Sequence, residues 1–256
     1  MVRASRYPAF RSERFQSPQQ IFARGGMDAI REDTAEKSTF LLDLGINVNL
    51  APVVDLSTDP GNFIYDRAFG QGTQETADYA AAVVGIMGEC GMGSVLKHFP
   101  GYGNNVDTHT GIAVDERPLE QFLSEDLLPF VSGAKAGAGG VLVSHNIVTC
   151  LDAELPASLS PAAYALLRET VEFDGVAMTD DMDMDAVAQY ARDGSAAVLA
   201  VAAGADMVLT SQPETRIAQV FSALDEGRLT WERVEQAALR VIAWKIRLGL
   251  IPQEML

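Results

Sequence analysis

The chain has 256 residues, 48% hydrophobic and 21% charged, a composition typical of a single globular domain. Its formal net charge of −16 argues against nucleic acid or an anionic membrane surface as a partner, because both would repel it. The two cysteines, Cys90 and Cys150, are isolated and predict neither a disulfide framework nor a zinc site. We therefore expect one monomeric domain over residues 1–256, without a cofactor or a membrane-spanning segment.

Five apolar runs predict β-strands, and their residues are apolar throughout instead of alternating with polar ones. This pattern is typical of parallel strands that are buried on both faces. The predicted strands cover residues 46–55, 93–99, 139–145, 175–180 and 205–210. The predicted helices between and after them cover residues 73–91, 118–136, 160–171, 185–203, 214–226 and 230–248. This alternation requires crossover connections and predicts an α/β fold with a parallel sheet.

Two parallel architectures are open, a doubly wound sheet and a TIM-type (β/α)8 barrel. A Gly-rich phosphate-binding motif after a strand would favour the doubly wound sheet, and the sequence has none. Polar residues at the carboxyl ends of the predicted strands favour the barrel, because barrel active sites lie at that face. These residues are Asp55, Lys97, His98, His145, Asn146, Asp180 and Asp181. The five strand–helix units predict an incomplete barrel, since closure takes eight.

The loop KHFPGYGNNVDTH, residues 97–109, holds two of the three histidines. In an extended Asp107-Thr108-His109 segment, the first and third side chains lie on the same side and can form a hydrogen bond. A carboxylate partner favours the protonated imidazole and moves its pKa towards or above neutrality. His109 is therefore a candidate general acid and base. The alternative is an Asp–His hydrogen bond that only stabilises the loop, which is the commoner role of an isolated pair.

Asp180 is the candidate nucleophile. Adjacent strand residues point to opposite faces, so only one carboxylate of the Asp180-Asp181 pair can face a barrel mouth, and Asp180 comes first after the apolar run. An ionised carboxylate there could attack an anomeric carbon and form a covalent intermediate. The alternative role is a helix N-cap, for which Asp181, Asp183 and Asp185 are better placed.

Arg67, Lys97 and His98 are candidate substrate-binding residues. Lys97 and His98 directly follow an apolar run, and Arg67 lies in the loop after Asp55. Donors of this kind can hold sugar hydroxyls or carboxylates, although each could instead form an ordinary surface ion pair.

Together these segments resemble glycoside hydrolase family 3, and within it the bacterial β-N-acetylglucosaminidase branch. KHFPGYGNNVDTH is similar to that branch's K-H-F-P-G-[HY]-G-x(3)-D-[ST]-H loop, and IYDRAFG to its [DN]-R-[AS]-F-G segment. FDGVAMTDDMDM resembles the family's nucleophile strand, F-x-G-[VA]-x-x-[ST]-D-[DA]-x-x-M. NLAPVVDL and KIRLGL also match, and the matches are collinear over nearly the whole chain.

The resemblance implies a hydrolase that removes terminal β-linked N-acetylglucosamine from saccharides or muropeptides, as in peptidoglycan turnover, with retention of configuration. It assigns Asp180 as the nucleophile, His109 as the acid/base and Asp107 as its dyad partner. It makes Arg67, Lys97 and His98 sugar-binding residues.

The start of the chain departs from the family pattern. The family has three further strand units before this point, the third ending in D-[QE]-E-G-G, whereas VRASRYPAFR here follows Met1 at once. The resemblance therefore predicts an N-terminally truncated homologue. A cytoplasmic location is expected for the chain as given, with secretion or the cell envelope left open by the start of the chain.

Other functions stay open at this point. A phosphorylase or β-glucosidase of the same family is one, because a histidine acid/base does not repel phosphate as a carboxylate does. A metal-dependent barrel hydrolase is another, because His and Asp at strand ends also suit zinc. A third is a catalytically impaired fragment.

Overall fold

A computed structural model describes residues 9–103, 113–191 and 196–252. The strands of this part are β1 (Val48–Asn49), β2 (Gly93–Phe99), β3 (Val114–Asp115), β4 (Gly140–Val143), β5 (Ile147–Val148), β6 (Val176–Asp181) and β7 (Met207–Leu209). Five of them form a curled parallel sheet in the order β1-β2-β4-β6-β7, half of a TIM-type barrel. The predicted α/β class and the incomplete barrel are therefore confirmed, and each of these five strands lies within or close to its predicted range.

The α-helices of the described part surround this sheet. They are α1 (Pro18–Asp43), α2 (Thr73–Glu89), α3 (Leu119–Gln121), α4 (Leu127–Lys135), α5 (Pro161–Ala165), α6 (Asp185–Ala188), α7 (Ala196–Ala203), α8 (Pro213–Asp225) and α9 (Trp231–Arg247). Helix α1 was not predicted, although Ser17 and Gln20 form a capping box at its start. Its sequence is interrupted by Gly25 and Gly26, whose backbone angles are not helical.

Three predicted helices are divided in the structure. The helix expected over 118–136 consists of α3, a π-helical turn at Phe122–Asp126, and α4. The helix expected over 160–171 begins as α5 and continues as a π-helical turn. The helix expected over 185–203 begins as α6, which a 3-10 turn follows, and its later part is α7. The short parallel pair β3–β5 was also missed, because two-residue strands are too short to carry a recognisable hydrophobic period.

Both faces of the sheet are covered, as the continuous apolar runs predicted. Leu96, Val141 and Ala177 belong to the main core cluster, which includes residues of α2, α4, α5 and α7. Their strand neighbours, including Val95 and Leu142, belong to a second cluster that contains Trp244 of α9. The period of two along each strand therefore divides the sheet between two cores.

Trp244 lies against the amino ends of the central strands. A Cβ atom added at Gly139 would lie 2.0 Å from Nε1 of Trp244, and one added at Gly93 would lie 3.1 Å from its ring. Glycine at these strand starts therefore makes room for the indole. Helix α9 therefore packs against the amino ends of these strands.

Candidate functional site

Polar side chains gather at the carboxyl ends of neighbouring strands, as the sequence predicted. Asp55 lies two residues after Val53, which forms a parallel bridge with Lys97 in β2. His145 follows β4, and Asp180 is the penultimate residue of β6. Asp55, Lys97 and His145 are each at most 3% exposed, so their polar groups need partners within the protein.

Asp55 holds His98 and the turn that follows it. One carboxylate oxygen, Oδ2, accepts from Nδ1 of His98 at 2.7 Å and from the His98 backbone N–H at 3.1 Å. The other oxygen accepts from the Tyr102 N–H at 2.9 Å. Because Asp55 and His98 are far apart in sequence, this carboxylate fixes the loop after β2 to the segment after β1.

Arg67 contacts the opposite nitrogen of the same ring, with Nη2 of Arg67 3.3 Å from Nε2 of His98. A guanidinium only donates, so Nε2 is the acceptor and Nδ1 carries the hydrogen that binds Asp55. Burial lowers the pKa of His98. The charge of Asp55 opposes this shift, whereas the positive charges of Lys97 and Arg67 add to it. His98 is therefore a neutral imidazole that connects Asp55 to Arg67.

The surroundings of Asp180 favour the ionised form of its carboxylate. Its burial raises the pKa, but His98, His145, the Asp181 N–H and Lys97 together outweigh burial and lower it. The Asp181 N–H donates to Oδ1 of Asp180 at 2.9 Å. The charged ammonium of Lys97 and the Asp181 N–H dipole both favour the charged form of this carboxylate.

The neighbouring aspartates have other duties. Oδ1 of Asp181 accepts a hydrogen bond from the Asp183 N–H at 3.1 Å, so the Asp181 carboxylate binds the loop that follows β6. Asp183 accepts from the backbone N–H and the hydroxyl of Ser211, each at 2.7 Å, and its pKa is lowered to about 2 by these and other donors near the start of α8. Asp180 is thus the carboxylate of this group that interacts with Lys97 and His98.

His145 lies beside Asp180 and is completely buried. Its Nδ1 atom is 2.7 Å from the Ser158 hydroxyl, and its Nε2 atom is 3.0 Å from the Asp181 carbonyl oxygen. Burial lowers its pKa, and Asp180 opposes that shift. The sequence placed this histidine at a strand end, but nothing in the sequence indicated Ser158 as its partner.

Asp107 and His109 lie outside the described residues, which stop at 103 and resume at 113. Arg117 lies against residues on both sides of this gap, Gly103 before it and Asp115 after it. Its guanidinium binds Asp115 at 2.8 Å and Asp126 at 2.9 Å, and a Cβ atom on Gly103 would lie 2.6 Å from its central carbon. Sequence reasoning missed this ion cluster, because its members lie in separate elements.

A cavity of about 860 Å³ opens beside the site, between α1 and β1. Arg67 and Lys97 line it at the end near His98, while Ile30 and Leu50 are among its apolar lining residues. The predicted sugar-binding residues Arg67, Lys97 and His98 therefore lie together, with two of them open to a space of ligand size.

Neither a metal centre nor a membrane span is found in the part of the chain that the structure describes. Residues 9–103, 113–191 and 196–252 contain no group of three or more His, Cys, Asp or Glu side chains arranged to hold an ion. No helix in these ranges is long and apolar enough to cross a bilayer.

Residues 9–244 match the family model described as the glycosyl hydrolase family 3 N terminal domain. A protein named beta-hexosaminidase from Xanthomonas campestris pv. campestris is 40% identical over 180 residues, 66% of this chain and 51% of the relative. One of the same name from Hydrogenovibrio crunogenus is 33% identical over 207 residues, 80% of this chain and 56% of the relative. The chain thus spans about half the length of these curated relatives.

Solved structures agree with this match. A glycoside hydrolase family 3 beta-N-acetylglucosaminidase from Paenibacillus sp. superimposes with a TM-score of 0.86 at 28% identity, over 93% of this chain and 48% of that one. LpqI of M. tuberculosis superimposes with a TM-score of 0.86 at 30% identity, over 95% of this chain and 74% of that one. The family model, the relatives and the shared fold agree, and the chain belongs to glycosyl hydrolase family 3.

Proposed function

We propose that this chain carries the catalytic face of a retaining glycosidase that removes terminal β-linked N-acetylglucosamine. The observation that carries the proposal is the position of Asp180 at the carboxyl end of β6, where burial raises the pKa of its carboxylate but nearby His98, His145 and Lys97 lower it overall. The name beta-hexosaminidase of relatives that share up to 40% identity supports the glycosidase activity, and the beta-N-acetylglucosaminidase from Paenibacillus sp. that shares the fold supports the choice of sugar.

In this proposal Asp180 is the nucleophile and the Asp107–His109 dyad is the acid/base. A carboxylate oxygen of Asp180 forms a bond to the anomeric carbon while the glycosidic bond breaks, and protonated His109 gives its proton to the departing oxygen. Water then gives a proton to His109, its oxygen bonds to the anomeric carbon, and Asp180 leaves as a carboxylate. Two displacements at one carbon retain its configuration.

The remaining polar residues bind the sugar. Within residues 9–103, 113–191 and 196–252, Arg67 directs one of its five N–H donors to His98, and in this proposal others bind sugar hydroxyl groups. The fixed ring of His98 keeps the guanidinium in place, and Asp55 keeps the ring in place. Rigid donors of this kind hold the anomeric carbon close to Asp180, which is the main requirement for rapid attack.

A slow fluorinated N-acetylglucosaminyl substrate tests the assignment, because it accumulates the covalent intermediate. We expect one sugar adduct per chain, and peptide mapping should place it on Asp180. Asp180→Asn should abolish the adduct and lower kcat by at least about 10³-fold, whereas the adjacent Asp181→Asn should keep the adduct. Turnover without an adduct, or an adduct on another residue, would refute the assigned nucleophile.

The same preparation tests the reaction type. Hydrolysis predicts free N-acetylglucosamine with its β configuration at the moment of release, whether or not phosphate is present. A sugar phosphate formed only in the presence of phosphate would identify a phosphorylase instead. A folded chain with neither turnover nor adduct would contradict the proposed function.

A further inference from the structure

We infer that His145 is a positioning residue for this site, a neutral imidazole that fixes the backbone next to Asp180. The inference rests on the proposed function, because the geometry of Asp180 matters to catalysis only if it is the attacking group. His145 does not touch the reacting atoms in this account, and acts through Asp181.

The contacts of His145 assign its hydrogen. The Asp181 carbonyl oxygen, 3.0 Å from Nε2, can only accept, so Nε2 carries the hydrogen. Nδ1 of the neutral ring then accepts from the Ser158 hydroxyl at 2.7 Å. Because the ring is completely buried, its charged form is disfavoured, and the Nε2–H tautomer satisfies both nitrogens without a charge.

The bond to Asp181 replaces a missing sheet contact. The β4–β6 ladder ends where Val143 pairs with Thr179, so the backbone of β6 runs on past its partner strand. His145 lies two residues after the end of β4, and its side chain supplies the next contact. The Asp181 N–H in turn donates to Asp180 at 2.9 Å, so Asp181 is held through its carbonyl and itself holds the carboxylate.

Ser158 is itself fixed, which makes the whole chain of contacts rigid. It is completely buried, its N–H donates to the Ser144 carbonyl at 3.0 Å, and its carbonyl accepts from the Tyr164 hydroxyl at 2.9 Å. The contacts therefore run from Ser158 through His145 and Asp181 to Asp180. A shift of about 1 Å at the end of such a chain can cost about 10²-fold in rate.

Two substitutions of His145 test the inference through the division between kcat and KM. His145→Leu removes the donor and should lower kcat for an aryl N-acetylglucosaminide about 10²-fold while KM changes less than about threefold. His145→Gln keeps an N–H donor near the position of Nε2, so its kcat should be at least about tenfold higher than that of His145→Leu. Ser158→Ala should fall between them, because the ring loses one of its two anchors.

Leu229→Ala is the control for a general loss of stability. Leu229 is buried in a separate cluster with Val198 and Ala223, so this variant should destabilise the fold and keep kcat per folded molecule. If His145→Leu keeps kcat within twofold of the unmodified chain, or if Leu229→Ala lowers kcat equally, the positioning role is wrong.

Nitrogen-15 NMR of the full chain decides the chemical state without any activity. The chain has three histidines, and His145→Gln identifies the signals of residue 145. At neutral pH we expect the neutral Nε2–H tautomer, and an imidazolium or an Nδ1–H tautomer overturns the inference. If the unmodified chain is inactive, the proposed function fails separately. Hydrogen exchange of the Asp181 backbone amide then tests the positioning role. This role requires the amide to exchange faster in His145→Leu than in His145→Gln, and equal rates would contradict it.

Discussion

Asp55 Oδ2 accepts hydrogen bonds from both the ring and the backbone of His98, at 2.7 and 3.1 Å. One carboxylate oxygen therefore sets the orientation of the imidazole and the path of the strand end that carries it. Since Arg67 binds the other ring nitrogen, the position of this guanidinium also depends on Asp55.

Asp55→Asn should weaken substrate binding more than turnover. The amide keeps the size of the side chain but cannot accept from all three donors of His98 and Tyr102, so the ring and Arg67 lose their fixed positions. We expect KM to rise about tenfold and the free energy of unfolding to fall by about 1–3 kcal/mol. Steady-state kinetics and urea unfolding measure the two effects.

Asp59→Asn is the matched control, because Asp59 lies four residues away in an exposed turn where it accepts from the Gly61 N–H at 2.8 Å. It should leave KM unchanged. An equal rise of KM in both variants would contradict the role of Asp55.

Asp126 should make stability fall as pH rises. Burial raises its pKa to about 6 from a model-peptide value of 3.8, although Arg117 opposes the shift. Between these values the folded state binds more protons than the unfolded state, so the contribution of this group declines from pH 4 to about pH 6. Asp126→Asn keeps an acceptor for Arg117 and removes the titration.

The stability of Asp126→Asn relative to the unmodified chain should therefore improve by up to about 3 kcal/mol between pH 4 and pH 7. Urea unfolding at intervals across this range measures the difference, in which other titrating groups cancel. A difference that does not change with pH would show that Asp126 titrates alike in the folded and unfolded states.

Arg117 should be far more important to stability than an exposed arginine with the same type of partner. Arg117→Met leaves Asp115 and Asp126 as buried carboxylates without their shared cation, which should cost about 3–5 kcal/mol. Arg228 forms an exposed pair with Glu226 at 2.7 Å, and Arg228→Met should cost far less, because solvent screens this pair. Chemical unfolding compares them, and equal losses would contradict the burial argument.

Gly139→Ala should destabilise the fold by overpacking. The new Cβ atom would lie 2.0 Å from the Trp244 ring nitrogen, so α9 must shift away from the strand starts. We expect a loss of about 1–3 kcal/mol. Gly85→Ala in α2 meets no atom within 4 Å and should stabilise the helix by up to about 1 kcal/mol. Urea unfolding measures both variants. If Gly139→Ala is no less stable than Gly85→Ala, the close packing of Trp244 against Gly139 is wrong.

Local pattern was enough to predict the five strands of the main sheet and the family. The apolar runs of β2, β4 and β6 are continuous because both faces of the sheet are covered, and that property is visible in the sequence. Lys97, His98 and Asp180 were recognisable for a related reason, since each stands where an apolar run ends. The resemblance then supplied roles for these residues and for Asp107 and His109, and all of these roles stay predictions.

Pattern could not predict which polar groups are partners. Asp55 was visible at a strand end, but its bonds to His98 cross 43 residues, and His145 binds the carbonyl of a residue 36 positions away. Helix α1 and the Arg117 cluster were missed as well. Such contacts depend on the register of parallel strands and on where each loop returns to the sheet, and these are decided only when the separate elements pack together.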